Sequence, residues 1–423
     1  VTLEEEEETV KGFVRHAVPA LLAAVIAVAT PAVAAQEVAL RVGYAEVLSL
    51  ARRRSPEAVA AERRVEVTRS GVAAARPWLQ ENPSVGFVAG PRFRTTDRVT
   101  DVYVTLGVPL EVYGVRGLRL GAAEGAVARD QALRDDAARR AAVAALDAYH
   151  RALHAAALRA AAEAQRTLAA DIVRVAEARR SAGEAGDLDL LAARVELARA
   201  GRAVAAADAG VAAADAALRF ALGLDAGQAL SLAGALDEVR SRYAAADVPA
   251  AAGVRPDLHA AELSLAVTQA EVALEERRRL PVPTLQLSYQ REEGADVYLA
   301  GLALPLPFFQ RNQGPVAEAR ARLGLLGAEQ HFLRQRAATE VVAARARLDA
   351  AHEGLRLLDA DALPNLGETV RLVQRAYELG QADLTRVLVV RQQAAETRRE
   401  HLDALLEVAL AGTALDAARG VFR

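Results

Sequence analysis

Cysteine and methionine are both absent from the 423 residues. Without cysteine there is no thiolate metal site, no disulfide framework, no cysteine nucleophile and no lipid anchor on an N-terminal cysteine. Aromatic residues are scarce, at 4 %, which is thin for a bulky globular interior of this size. A large excess of charge of either sign is missing as well. The formal net charge is −3, and there is no long basic block or aromatic stacking surface, so nothing points to nucleic acid. Beyond the first 35 residues no apolar run approaches a spanning helix, and membrane insertion there would have to be by strands. A Gly-Xaa-Ser-Xaa-Gly elbow, a P-loop and a dinucleotide fingerprint are also lacking, so the pattern implies neither an enzyme nor a cofactor.

What is present is alanine, which supplies the largest single share of the apolar count and suits helices packed closely side by side. The N-terminal stretch runs from acidic (Glu4 to Glu8) through Lys11, Arg15 and His16 to an apolar run, Val18–Ala29, and then Pro31 and small residues. That order predicts a secretory signal segment over 1–35, with cleavage after Ala34 or Ala35. A helix is expected over 41–79. Val85, Phe87, Ala89 and Phe93 then alternate with Ser84, Gly86, Gly90 and Arg92. After a charged loop, Val102, Val104, Leu106, Val108 and Leu110 alternate with Asp101, Tyr103, Thr105 and Gly107. This predicts a hairpin over 83–110, apolar on one face, with strands of about ten residues, the length a tilted strand needs to cross a bilayer.

A proline-free run follows, predicting a helix over 115–182 that would be roughly 100 Å long. Its expected seam passes through Leu133, Ala137, Leu146, Leu153, Leu168, Ile172 and Val175. Gly183 and Gly186 bracket a turn, and Asp187 is expected to cap a helix over 187–222. A mixed linker with a short helical piece, Leu236–Tyr243, spans 224–254. The pattern then restarts. Ser55-Pro56-Glu57 parallels Arg255-Pro256-Asp257, Asn82-Pro83 parallels Val282-Pro283, Pro109-Leu110 parallels Pro305-Leu306, and Gly186-Asp187-Leu188 parallels Ala382-Asp383-Leu384. The second copy, 255–420, is expected to hold a helix, a hairpin over 283–307, a long helix over 315–379 kinked at Pro364, and a helix over 383–418. The first copy occupies 36–223.

Four strands cannot close a barrel, and open edges are not tolerated in lipid. Three copies would pool twelve, with polar and small residues lining a channel and branched apolar residues meeting lipid. Histidines offer little. His150 and His154 lie one helical turn apart without a third ligand and read as packing or solvated side chains, so no metal site is expected. Arg277, Arg278 and Arg279 end a helix just before a strand, either as a solvated terminus or in contact with lipid headgroups. Trp78 stands at the matching point of the first copy as a candidate interfacial anchor.

The chain resembles the TolC family of outer membrane efflux proteins. The likeness covers nearly everything from Arg41 to Ala418 and is carried by Asn82-Pro83, Pro109-Leu110, Pro305-Leu306 and Ala376-Tyr377-Glu378-Leu379-Gly380. It implies a mostly helical fold with a small membrane β part. In that fold a homotrimeric 12-stranded barrel in the outer membrane continues into a long periplasmic helical barrel. It further implies a passive duct serving a periplasmic adaptor and an inner-membrane RND-type pump. The branch resembled is the cobalt–zinc–cadmium type, which makes heavy-metal cations the implied cargo. The family's tip turn maps to Arg375, Leu379, Gly380 and Asp383, and to Arg179, Gly183, Gly186 and Asp187 in the first copy. These would dock the adaptor and form the entrance. Some family members carry paired carboxylates just beyond the second tip, where this chain has Arg386 and Val389. An acidic ring would instead draw on Asp383, Asp187 or Asp189. The competing reading is an exported coiled-coil rod, structural or adaptor-like, which leaves the two hairpins without a purpose.

Overall fold

The computed structural model describes residues 39–95, 97–183, 186–243 and 255–422. The chain divides into two compact units, Val1–Leu40 and Arg41–Arg423. The expected signal segment falls outside the described residues, as does the end of the expected linker, 244–254.

The expected opening helix is two helices. A short strand β1 (Leu40–Val42) precedes α1 (Tyr44–Arg54), and α2 (Pro56–Ala75) follows after a break at Ser55. Proline cannot donate to the turn before it and pushes its predecessor to extended backbone, here φ −57° and ψ 146°. Pro56 therefore starts a new helix rather than sitting inside one. The Ser55 hydroxyl caps it by accepting the Ala58 N–H at 3.1 Å.

The first hairpin is β2 (Ser84–Phe93) and β3 (Arg98–Pro109). Next comes α3 (Val115–Ser181), unbroken over 67 residues, and then α4 (Asp187–Ala221). Ala137, Leu146, Leu153 and Ile172 are buried along α3 as the seam requires, but Leu133 and Leu168 are 46 % and 37 % exposed. A 3.6-residue helix drifts off any fixed heptad over such a length.

Strand β4 (Leu230–Leu232) pairs with β1, and α5 (Leu236–Tyr243) follows. This small layer packs against the middle of the helices. The Tyr243 ring lies where a Cβ on Gly412 would come within 2.4 Å, so only glycine fits there.

The second copy begins with α6 (Pro256–Arg277) and the hairpin β5 (Thr284–Glu292) and β6 (Ala295–Ala303). Its long helix is interrupted. It comprises α7 (Gln313–Leu357), a π-helical turn (Leu358–Ala362) and α8 (Leu363–Glu378), before α9 (Leu384–Ala418) closes the fold. Pro364 supplies no N–H to the turn above it. The backbone accommodates this with a wider turn, in which the Leu363 N–H donates to Leu358 five residues back. The expected kink is thus realised as a π-turn.

The helices pack in one order near the sheet and another far from it. On the sheet side α3 lies between α2 and α6, and α6 also touches α7; on the far side α3 lies between α4 and α9, and α9 also touches α8. Helix α3 is therefore flanked on both sides along its length. Helices α7 and α8 are flanked on one side only. Large apolar residues stand exposed on these edge helices: Val67 on α2, Leu188 and Phe220 on α4, Phe332 and Val342 on α7, and Leu372 on α8.

Candidate channel wall, collar and tips

The two hairpins join into one four-stranded antiparallel sheet of order β2-β3-β5-β6. The junction is the β3–β5 pairing, which sets Val104 opposite Tyr289, Leu106 opposite Leu287 and Val108 opposite Leu285. Val85 and Phe87 align with Leu106 and Val104, while Leu302 and Ala300 align with Leu285 and Leu287. Directly paired residues share a face. The register therefore collects the apolar set on one face and Ser84, Gly86, Thr105, Gln286 and Ser288 on the other. Val85, Phe87 and Leu302 are 72 %, 69 % and 64 % exposed, so among the described residues of one chain nothing covers the apolar face there. Among the described residues strands β2 and β6 are open edges.

At the loop end of the polar face Arg92 ties the hairpins together. Its Nε meets Asp101 at 2.7 Å, and its two terminal nitrogens reach Glu292 and, at 2.9 Å, Glu293. This clamp was not legible in the sequence, because it depends on β3 and β5 being neighbours.

The opposite end of the sheet meets the helices in a collar. Trp78 is 80 % exposed, with the Arg116 guanidinium 5.6 Å from its ring centre. Arg277 ends α6 and donates to the Tyr113 carbonyl at 3.0 Å, and Arg278 pairs with Glu275 at 2.6 Å. The fold thus brings the sequence-predicted Trp78 and Arg277–Arg279 to one level of the molecule.

The two helical turns at the far end pack as one cluster. Ile172, Ala176, Leu190 and Ala193 of the first meet Tyr377, Leu384 and Val387 of the second. Arg179 crosses between them. It donates to the Tyr377 carbonyl at 3.2 Å, and its guanidinium lies 4.9 Å from the ring centre of Tyr377. Gly183 (φ +74°) and Gly380 (φ +70°) each reverse the chain in the left-handed region after a helix end. Around them Asp187, Arg375, Leu379, Asp383 and Arg386 are exposed, and Asp189 is half-buried.

The two turns differ in their caps. Asp383 caps α9, accepting the Arg386 N–H at 2.8 Å. The expected cap at Asp187 is not made: Gly186 holds the cap position without a side-chain bond, and Asp187 instead pairs with Arg180 at 2.6 Å. Three residues separate Gly183 from Asp187 and only two separate Gly380 from Asp383, and this extra residue in the first turn shifts the acid one step into the helix.

Arg391 was missed in the sequence although its spacing gives it away. Leu384, Val387 and Arg391 recur on the buried face of α9. Its guanidinium donates to the Leu168 carbonyl at 2.9 Å and to Gln374 at 3.0 Å, joining the two halves. Burial pushes its pKa below the ordinary arginine range. Among the described residues no group of three or more His, Cys, Asp or Glu side chains is arranged to hold a metal ion. No described helix is long and apolar enough to cross a membrane.

Comparison with known proteins places this architecture. The sequence profile described as outer membrane efflux protein matches twice, over residues 47–224 and 248–421. The cobalt-zinc-cadmium resistance protein CzcC of Cupriavidus metallidurans is 26 % identical over 377 residues, covering 87 % of this chain and 88 % of CzcC. Among solved structures, CusC superposes with a TM-score of 0.73 at 18 % identity, over 89 % of this chain and 92 % of CusC. The outer-membrane channel OprN does so with a TM-score of 0.70 at 18 % identity, over 89 % of both chains. The outer membrane protein VceC of Vibrio cholerae gives 0.69 at 16 % identity, over 89 % of this chain and 96 % of VceC.

Proposed function

We propose, from the premise that the chain belongs to the outer membrane efflux protein family, that it is one of three identical subunits of a passive, non-catalytic duct. The chain is an outer-membrane efflux channel protein with a long periplasmic helical extension. The duct would receive cargo from an inner-membrane RND-type pump through a periplasmic adaptor. Heavy-metal cations are the proposed cargo, on the strength of the likeness to a cobalt-zinc-cadmium resistance protein.

One observation carries the reading. Every layer of the chain is open at the same two edges: β2 with α2 and α4 on one side, β6 with α7 and α8 on the other. A bilayer forbids an open sheet edge, so β6 of one copy must meet β2 of the next. The helices attached to those strands then close the tube below, covering their exposed apolar residues. Three copies give twelve strands, an even number in the known range. The face bearing Gln286 and Ser288 would line the duct.

We read residues 36–223 and 255–420 as two copies of one unit joined by 224–254, which the doubled profile match supports. The tips at Gly183, Gly186, Asp187, Arg375, Leu379, Gly380 and Asp383, cross-linked by Arg179, would dock the adaptor. Asp189 and Arg386 would face the entrance. Trp78 and Arg277–Arg279 would sit at the membrane interface. The test is the mass and shape of the detergent-extracted particle. Three copies with a hollow stalk are expected, along with single-channel conductance in a planar bilayer. A water-soluble monomer or dimer would leave the exported coiled-coil rod instead. Cargo is tested separately, by whether the gene restores growth on zinc, cobalt and cadmium to a strain lacking its outer-membrane channel.

A further inference from the structure

We propose that the sheet–helix collar is a binding site for anionic phospholipid headgroups of the leaflet facing the periplasm, an inference that rests on the membrane orientation given above. The first observation is one of unmatched charge. Along the helices arginines are commonly paired: Arg63 with Glu66, Arg194 with Glu177, Arg345 with Asp349. At the collar the pattern stops. Arg76, Arg116, Arg277, Arg279 and Arg311 have no carboxylate partner among the described residues, whereas Arg119 and Arg278 are paired. Of the carboxylates nearby, Glu111 is engaged by Arg119 and Glu276 by Arg320 at 2.5 Å, while exposed Glu81 makes no ion pair among the described residues.

These arginines form a continuous chain of contacts rather than a scatter. Arg116 donates to the Arg76 carbonyl at 3.0 Å and lies over Trp78. Arg277 reaches the Tyr113 carbonyl, two residues before the start of the helix that bears Arg116. Asn312, next to Arg311, donates to Glu275 at 2.7 Å, the carboxylate that also holds Arg278. The collar therefore passes through all four strand–helix junctions of the chain.

The second observation is apolar. Phe308 and Phe309 follow β6 and are 67 % and 91 % exposed, and Trp78 is exposed at the other end of the collar. Large aromatic side chains beside unpaired guanidinium groups match one environment, the boundary where acyl chains give way to phosphates. Guanidinium forks hold phosphate oxygens two at a time, and a net anionic headgroup leaves that attraction uncancelled by a choline ammonium.

Trp78 is the only tryptophan in the chain, which makes it a reporter without engineering. The full protein is reconstituted in phosphatidylcholine vesicles that contain brominated phosphatidylglycerol or, in parallel, brominated phosphatidylcholine, and quenching of Trp78 fluorescence is measured. We expect phosphatidylglycerol to be favoured at the collar by at least about fivefold, the effect of a single arginine near an anionic surface. The preference should fall as salt is raised. In the variant Arg277→Gln with Arg279→Gln and Arg311→Gln it should approach one. Should that variant not assemble, Arg279→Gln alone, whose side chain makes no hydrogen bond or ion pair among the described residues, should halve the preference or more.

Inserted protein quenched equally by both lipids overturns the collar while leaving the channel intact. So does inserted protein quenched by neither, which would mean that a neighbouring copy covers Trp78. Protein that never enters vesicles overturns the channel reading and the collar with it.

Discussion

The two long helices are built to one scheme and end differently. Helix α3 runs 67 residues without interruption, flanked on both sides by helices of its own chain. Its counterpart reaches a similar length only by way of the π-turn Leu358–Ala362, and it lies at an edge of the chain. A bend in a central helix would drag two sets of neighbours out of contact, whereas a bend at an edge disturbs one. The π-turn is also held from outside the helix. Asp359 pairs with Arg240 of α5 at 2.6 Å and faces His401 of α9 at 3.4 Å. Duplication thus supplied two equivalent helices, and packing decided which of them could keep a proline.

The strongest way to break this asymmetry is to give α3 the proline as well. Leu168 stands in α3 one residue past the position of Pro364 in the second copy, counting back from Gly183 and Gly380, and its carbonyl accepts Arg391. Leu168→Pro should cost roughly 3 kcal/mol or more and prevent assembly, read by thermal unfolding and particle mass. Pro364→Ala should shift stability by no more than about 1 kcal/mol, because the π-turn's contacts with Arg240 and His401 remain.

Acid provides a second comparison. His150 of α3 is fully buried, and burial lowers its pKa to about 4 from the ordinary 6.5. The unfolded chain therefore takes up this proton first. Stability from His150 is complete above about pH 6.5 and is lost as pH falls toward 4, in all by roughly 3 kcal/mol. Asp147 acts in the opposite sense. Burial raises its pKa to about 6, so between its unfolded value near 3.8 and 6 it favours the folded state as acid is added. The clean readout is the difference between wild type and His150→Gln across pH 4 to 7, which should shrink toward acid. His401, whose burial is partly offset by Asp359, should give the same sign and a smaller slope.

Arg391→Ala should cost about 2 kcal/mol, through two lost charge-assisted hydrogen bonds, one across the halves to Leu168 and one within the second half to Gln374. The smallest effect separates the tips. Asp383→Ala removes a cap and should cost about 1 kcal/mol, whereas Asp187→Ala breaks only an exposed ion pair and should cost a few tenths. Equal losses would mean that the two turns are held alike after all.

Much of this was legible in the sequence because it is periodic. Alternation announced both hairpins, the offset motifs announced the duplication, and the absence of proline announced α3. What escaped depends on neighbours distant in the chain. Nothing in the two hairpins taken singly says that β3 pairs with β5, yet that pairing makes the sheet one-sided and forms the Arg92 clamp. The break at Ser55 was a local misreading, since Pro56 with a serine before it is a helix start as readily as an interior position. The π-turn was half legible: Pro364 foretold a disturbance but not how the backbone would absorb it. At the tips Asp187 and Asp383 looked equivalent, and one inserted residue made them different.

The hairpin ends carry a consequence of another kind. The β5–β6 reversal is a two-residue turn, with Glu293 (φ +58°) and Gly294 (φ +85°) both left-handed. The β2–β3 reversal takes only residues 94–97. Among the described residues the outward end of this channel is therefore little more than a rim of short turns braced by Arg92. A tag meant to label intact cells would therefore be spliced into one of those two turns.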